Sequence, residues 1–220
     1  MDLSVVIPTL NASRTLAATV ASLEGRPRGI IVADGGSTDG TQALAARLGC
    51  RVVTAPRGRG VQLAAGVAAA ERPWLLLLHA DTRLGPGWAD AVASHIAARP
   101  DAAGYFRFRL DDDAPAARRL ERMVAWRCRR LALPYGDQGL LIAAETLRAV
   151  GGIAPVPLME DVDLVRRLGR ARLAPLAADA VTDAARHRRD GYLRRSARNL
   201  ALLALWTAGV PPRLIARLYD

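Results

Sequence analysis

Three apolar runs, each closing on polar side chains, organise the first third of the chain. The first, Leu3-Ser4-Val5-Val6-Ile7-Pro8-Thr9-Leu10-Asn11, reads as a buried strand that Pro8 ends, because proline has no N–H for the ladder. A helical stretch over Ser13 to Leu23 follows. The second run, Gly29-Ile30-Ile31-Val32-Ala33, leads into Asp34-Gly35-Gly36-Ser37-Thr38-Asp39-Gly40-Thr41 and a helix from Thr41 to Leu48. Arg51 to Thr54 predicts a short strand and Val61 to Ala70 an alanine-rich helix. The third run, Trp74 to Leu78, ends in His79-Ala80-Asp81-Thr82. Uninterrupted apolar strands with helices between them predict a parallel sheet covered on both faces, with a ligand site along its carboxyl edge.

Beyond this point the pattern changes. Gly85-Pro86-Gly87 breaks the chain before a helix over Trp88 to Ala98. Ala103 to Leu110 alternates apolar and polar residues, which predicts a half-exposed, antiparallel strand at the sheet edge. Asp111-Asp112-Asp113 reads as a solvated turn and helix start rather than a metal site. The apolar segment Leu200 to Trp206, before Pro211-Pro212, is too short to span a bilayer and packs on the domain or lies at a membrane surface. Without an internal repeat, linker or boundary, residues 1–220 read as one α/β domain with a mainly parallel, Rossmann-like central sheet flanked by helices.

Charge sharpens the picture. The chain carries a formal net charge of +10, and every one of its 31 basic residues is arginine, crowded at Arg118 to Arg130 and Arg186 to Arg198. Arginine keeps its charge and forks onto phosphate, so a diphosphate, a lipid phosphate or an anionic membrane all suit it, as does a plain solvated helix face. Nucleic acid is not expected as a partner, because the few aromatics do not interleave with the arginines and no nucleic-acid motif is present. Cys50 and Cys128 stand apart without metal-site spacing, which fits a reduced, cytoplasmic setting. No apolar stretch reaches the length of a spanning helix and no leader precedes the first strand, so neither a membrane span nor a signal peptide is expected.

The chemistry gathers at the strand ends. Glycines in the Asp34 to Thr41 loop let the backbone approach a ligand, and an aspartate there can accept a hydrogen bond from a base edge or ribose hydroxyl. The same residues are ordinary turn chemistry, with Ser37 or Thr38 as a helix cap. Glu160, Asp161 and Asp163 open a helix, where the dipole alone favours carboxylates, so capping and catalysis are equal readings there.

These residues together resemble the family 2 glycosyltransferases of the GT-A fold. The resemblance rests on the strand from Ser4 to Asn11, the loop from Asp34 to Thr41, His79-Ala80-Asp81 where most members carry Asp-x-Asp, Tyr135-Gly136-Asp137-Gln138-Gly139, and Met159-Glu160-Asp161-Val162-Asp163-Leu164. The short forms of these motifs look like a small bacterial subgroup. The resemblance implies a nucleotide-sugar-binding half over about residues 1–100 and an acceptor-side half over about 101–220. It implies that Pro8, Thr9, Asn11, Asp34, Gly36, Ser37 and Asp39 hold the nucleoside, with Asp34 on the base. Arg59, in the glycine-rich Pro56 to Gly60 segment, contacts the diphosphate on this reading, and His79 and Asp81 complete the donor site.

Asp81 is the expected ligand for Mn²⁺ or Mg²⁺, a hard oxygen donor of the type such ions take beside substrate phosphates. Since His79 is neutral, the site has one charge fewer than an Asp-x-Asp pair; His79 either ligates metal or only bonds the nucleotide. Asp161 is the expected general base, with Glu160 and Asp163 as rivals, and Asp137 and Gln138 line the acceptor or sugar pocket. His187 falls where some relatives set a basic motif against the diphosphate. The implied reaction is inverting, metal-assisted transfer from a nucleoside-diphosphate sugar to an acceptor, with a lipid-linked acceptor and peripheral contact at the inner membrane face left open. Two alternatives compete: a non-catalytic nucleotide-binding protein of this fold, and another nucleotide-dependent α/β enzyme such as a nucleotidyltransferase. A dinucleotide-dependent oxidoreductase fits poorly, because Pro-Thr-Leu-Asn replaces Gly-x-Gly-x-x-Gly after the first strand.

Overall fold

The computed structural model describes residues 1–24 and 26–219. In chain order, strand and helix alternate through β1 (Leu3–Thr9), α1 (Leu16–Ala21), β2 (Gly29–Asp34), α2 (Thr41–Arg47), β3 (Arg51–Thr54), α3 (Arg59–Ala68) and β4 (Trp74–Leu77). The remainder comprises β5 (Thr82–Leu84), α4 (Trp88–Ala98), β6 (Ala103–Leu110), α5 (Pro115–Leu131), β7 (Leu140–Ala143), α6 (Ala144–Ala149), α7 (Glu160–Leu168), β8 (Leu173–Thr182), α8 (Ala185–Asp190), α9 (Tyr192–Thr207) and α10 (Pro212–Tyr219). The eight strands form one sheet in the order β3-β2-β1-β4-β7-β6-β8-β5.

All seven residues of β1 are buried, as expected of a central strand that pairs in parallel with β2 on one side and β4 on the other. Alternation along the strand sends Val6 to one face and Val5 and Ile7 to the other, so two separate cores form. Leu75 and Leu77 of β4 join Val6 on the side covered by α3 and α7, while Leu76 and Leu78 join Val5 and Ile7 on the side of α1 and α4. Each such side chain contributes about 1.5–3 kcal/mol by leaving water. The order of the strands reverses between β1 and β4, so the loops after these strands open a crevice at their carboxyl ends.

The sequence pattern misplaces β6 and the bounds of the first helix, and leaves β5 unread. β6 lies inside the sheet: it pairs antiparallel with β7 at Gly104 and Tyr105 and in parallel with β8 along its length. Its polar half, with Arg107 and Arg109, extends past the end of β7, and both arginines ion-pair with Asp179 of β8. That overhang produces the alternation of an edge strand. The first helix is shorter than its periodicity suggests, and the run from Trp74 forms β4 as expected, while the short edge strand β5, paired with β8, has no counterpart in the sequence pattern. Asp111-Asp112-Asp113 does start a helix, since Asp112 accepts the N–H of Ala114 at 2.9 Å. It also ties β6 to the C-terminal helices, with Asp111 accepting the Ala184 N–H at 2.8 Å and Asp112 the Tyr192 hydroxyl at 2.6 Å.

Candidate active site

The loops after β1 and β2 are stitched together by polar side chains. Asp34, fully buried at the end of β2, accepts bonds from Thr9 Oγ1 (2.8 Å), Ser37 Oγ (2.5 Å), Gln42 Nε2 (2.7 Å) and the N–H groups of Gly36 (3.0 Å) and Ser37 (2.8 Å). Burial pushes its pKa up, but these bonds outweigh burial and hold it below the usual carboxylate range. With five donors around its two oxygens, Asp34 shapes the loop that follows β2. Asn11, with a left-handed backbone (φ 51), donates its N–H to Ser37 Oγ at 2.8 Å and accepts that of Thr38 at 2.9 Å. Asp39 accepts from Ser13 N and Thr41 N, both at 3.0 Å; Gly40 is the N-cap of α2, and Asp39, rather than Ser37 or Thr38, satisfies its first N–H.

Gln62 locks the floor of these loops, and sequence reasoning missed it. Its amide donates to the carbonyls of Thr9 (2.6 Å) and Ala33 (3.0 Å), and its carbonyl accepts Gly58 N at 3.3 Å. The legible signal was a glutamine on the buried face of an alanine- and glycine-rich helix, beside Leu63 and Gly66. Before α3 the chain runs against the segment leading to α7: Arg59 N donates to Pro157 O (3.3 Å) and Gly60 N to Val156 O (3.0 Å). A Cβ on Gly60 would lie 2.3 Å from Ala154 O, so only glycine permits this approach.

This docking brings Arg59 to α7. Glu160 and Asp161 occupy its first turn, one turn ahead of the buried Leu164 and Val165, so both carboxylates face inward. Asp163 points elsewhere, into a 2.6 Å ion pair with Arg167 one turn on. Asp161 accepts the N–H of Gly136 at 2.8 Å. Gly136 in turn sits under His79: a Cβ there would lie 2.5 Å from His79 Nε2 and 3.4 Å from Asp161 Oδ2. Burial drives the His79 pKa down to about 3, Arg59 and Arg186 push the same way, and Asp161 opposes.

Asp137 and Gln138 separate in function. Gln138 is buried, its amide donating to Phe106 O at 3.0 Å and its carbonyl accepting from Arg127, Cys128 and Tyr135 N, each at 3.2 Å. Both polar atoms of the Gln138 side chain thus hold the loop that carries Asp137. The Arg127 guanidinium also stacks over the Tyr135 ring, 3.4 Å from its centre. Asp137 Oδ1 is buried without a hydrogen-bond partner. Burial pushes the Asp137 pKa up to about 6, with Asp161 and Asp81 adding to the rise and Arg127 and Arg59 opposing it. Hydrogen bonds fix Asp81 and Asp137 in one neighbourhood: Asp183 N donates to Asp81 O at 2.9 Å, and Thr182 Oγ1 donates to Asp137 O at 3.3 Å.

Arg186 and His187, on α8, complete the rim. His187 stacks on Tyr192, and burial with Arg195 lowers its pKa to about 4 against the pull of Asp190 and Asp81. Among the described residues no group of three or more His, Cys, Asp or Glu side chains could hold a metal ion by itself. The hard oxygens of Asp81 and the orphaned Asp137 carboxylate do fit a Mg²⁺- or Mn²⁺-type ion that takes its other ligands from substrate phosphate and water. Arg59, His79, Asp81, Asp137, Glu160 and Asp161 thus meet at the carboxyl end of the sheet, beside a cavity lined mainly by apolar residues such as Leu63, Leu77 and Leu140.

A family model described as Glycosyl transferase family 2 matches residues 4–154, well over half of the chain. The chain belongs to glycosyl transferase family 2. The chain is also similar to uncharacterized glycosyltransferases of Mycobacterium tuberculosis and Mycobacterium bovis, each 40% identical over 85 residues. That match covers 38% of this chain and 38% of each relative, so it spans well under half their length. The family fold is the GT-A fold of solved glycosyltransferases. Glucosyl-3-phosphoglycerate synthase from M. tuberculosis, in complex with Mn²⁺, UDP-glucose and phosphoglyceric acid, aligns with TM-score 0.65 and 20% identity over 95% of this chain and 80% of that one. S. aureus TarS in complex with UDP-GlcNAc aligns with TM-score 0.62 and 15% identity over 83% of this chain and 59% of that one.

Proposed function

We propose that the protein transfers a glycosyl group from a nucleoside-diphosphate sugar to an acceptor hydroxyl with inversion at the anomeric carbon. The observation that carries this reading is the position of Asp161: its carboxylate, held by the Gly136 N–H at 2.8 Å, lines the cavity that His79 and Glu160 also line. The nucleoside lies along the stitched loops, against Pro8, Thr9, Asn11, Gly36, Ser37 and Asp39, with Asp34 positioning their backbone from beneath. UDP or UDP-sugar bound by the similarly folded synthase and TarS supports a donor of this class.

The acceptor oxygen attacks the anomeric carbon as Asp161 takes its proton, and the bond to the diphosphate oxygen breaks on the opposite face. Arg59, with Arg186 nearby, offsets charge growing on the departing diphosphate. A divalent ion held by Asp81 with Asp137, Mn²⁺ or Mg²⁺ as in the synthase structures, would supply further neutralisation of that leaving group. His79, kept neutral by burial, contacts the donor without adding a second charge.

Calorimetry with UDP and GDP tests the donor site. Binding should tighten with Mn²⁺ or Mg²⁺ relative to chelator; equal affinity removes Asp81 from the metal role, and absence of nucleotide binding defeats the donor reading. Turnover of a nucleotide-sugar panel then separates a transferase from a binding protein.

A further inference from the structure

The outer faces of α5 and α9 carry no carboxylate. On α5 the exposed positions Arg119, Arg122, Met123, Trp126, Arg129 and Arg130 recur at three- to four-residue spacing and so form one stripe. Its single acidic residue, Glu121, is buried and bonded to Arg109, Arg118 and Leu110 N. Met123 is 60% and Trp126 54% exposed. Among the described residues no ion pair engages Arg119, Arg122, Arg129 or Arg130, whose charge is therefore open to an external anion.

The neighbouring helices repeat the pattern. On α9, Leu193 (86% exposed), Ala197, Leu200 (67%) and Ala204 line one exposed face, and only Arg195 and Leu202 are buried. α10 packs on α9 and exposes Leu214 and Leu218. From Gly191 to Tyr219 the sequence contains no Asp or Glu. The starts of α5 and α9 are tied through Tyr192 and Asp112, and the two helices pack together.

We infer that this arginine-rimmed apolar face docks on an anionic lipid surface. Large exposed apolar side chains rimmed by polar groups mark an interaction surface. Charge complementarity selects the occupant: arginines without acidic neighbours match lipid phosphates, and Trp126 with Met123 and Leu200 can enter the boundary between headgroups and acyl chains. A symmetric second copy would instead set arginine against arginine, because an isologous interface brings the same patch to itself. Among the described residues no helix is long and apolar enough to cross a membrane, so the contact lies in the plane of the surface. The inference rests on these exposed faces and stands independently of the sugar-transfer reading.

Co-sedimentation of the full chain with phosphatidylcholine vesicles, with and without phosphatidylglycerol, tests it. Binding should require the anionic lipid and fall as salt rises. Arg119→Gln and Arg122→Gln should each lower partitioning about fivefold, and Met123→Ser with Trp126→Ser should lower it further, while circular dichroism and Tm stay unchanged. Equal binding to neutral vesicles, absence of binding, or full binding by these folded variants would overturn the inference. So would a dimer, by analytical ultracentrifugation, that Trp126→Ser disperses.

Discussion

Arg59 Nε lies 3.3 Å from Oε1 of Glu160, joining the start of α3 to the start of α7 across the floor of the site. Glu160 is 1% exposed, and neither of its oxygens accepts a hydrogen bond among the described residues. Burial pushes its pKa up to about 7, Asp161 adds to the rise, and Arg59 opposes it. The ion pair therefore offsets only part of the cost of enclosing this carboxylate.

That balance has a definite sign in stability. An unfolded glutamate titrates near about pH 4.3, so between there and about 7 the folded chain keeps a proton that the unfolded chain has lost. Stability from this group is thus present at low pH and declines through that window. Glu160→Gln should gain Tm over the unmodified protein as pH rises from about 5 to about 8. A Tm difference that does not change with pH removes Glu160 as the source.

Donor binding should take up a proton. If the diphosphate draws Arg59 away, Glu160 loses the charge that lowers its pKa and protonates near neutrality. Binding heats measured near about pH 7 in buffers of different ionisation enthalpy should differ for the unmodified protein and coincide for Glu160→Gln. Buffer-independent heats in both proteins would place Arg59 on Glu160 throughout.

Asp161→Asn should lower transfer by about a hundred- to ten-thousand-fold with donor affinity nearly unchanged, since the amide keeps the shape but cannot take the acceptor proton. Asp163→Asn should leave transfer close to normal, because that carboxylate faces Arg167. Steady-state kinetics of the two variants decide between them; the reverse ranking assigns the base to Asp163.

Asp34→Asn should destabilise the fold by roughly 1–3 kcal/mol, because an amide nitrogen cannot accept from the donors that surround it. The carboxylate's contribution is present above the unfolded value near about pH 3.9 and is lost as pH falls through its depressed folded value. Urea unfolding at neutral and acidic pH checks both, and the gap between the two proteins should shrink on acidification.

Gly136→Ala should impair transfer without unfolding the protein, since the new methyl would lie 2.5 Å from His79 Nε2 and must displace the imidazole. Turnover and circular dichroism together test this. Normal turnover would show that His79 can move without consequence.

Much of this protein is local and so could be read from sequence. Continuous apolar runs identified β1, β2 and β4 because strands buried on both faces need apolar residues at every position. The helix over Trp88–Ala98 and the strand over Ala103–Leu110 matched their predicted bounds, and motif order identified the family. The neighbours of each strand were not local information. The overhang of β6 past β7 depends on the length of another element, and composition within β6 cannot express it.

The same division runs through the site. The sequence alone placed Asp34, His79, Asp81 and Asp161 at strand and helix ends, since turn chemistry and helix starts are written in neighbouring residues. Only the tertiary structure decided what each carboxylate faces: Asp34 is surrounded by five donors, Asp163 meets Arg167, and Asp161 meets a backbone N–H from a loop 25 residues away. It also turned Gln138 inward and brought Gln62 under two strand ends. The physical reason is that hydrogen bonding and burial depend on which groups are within about 3 Å, and the packing of distant segments sets that distance.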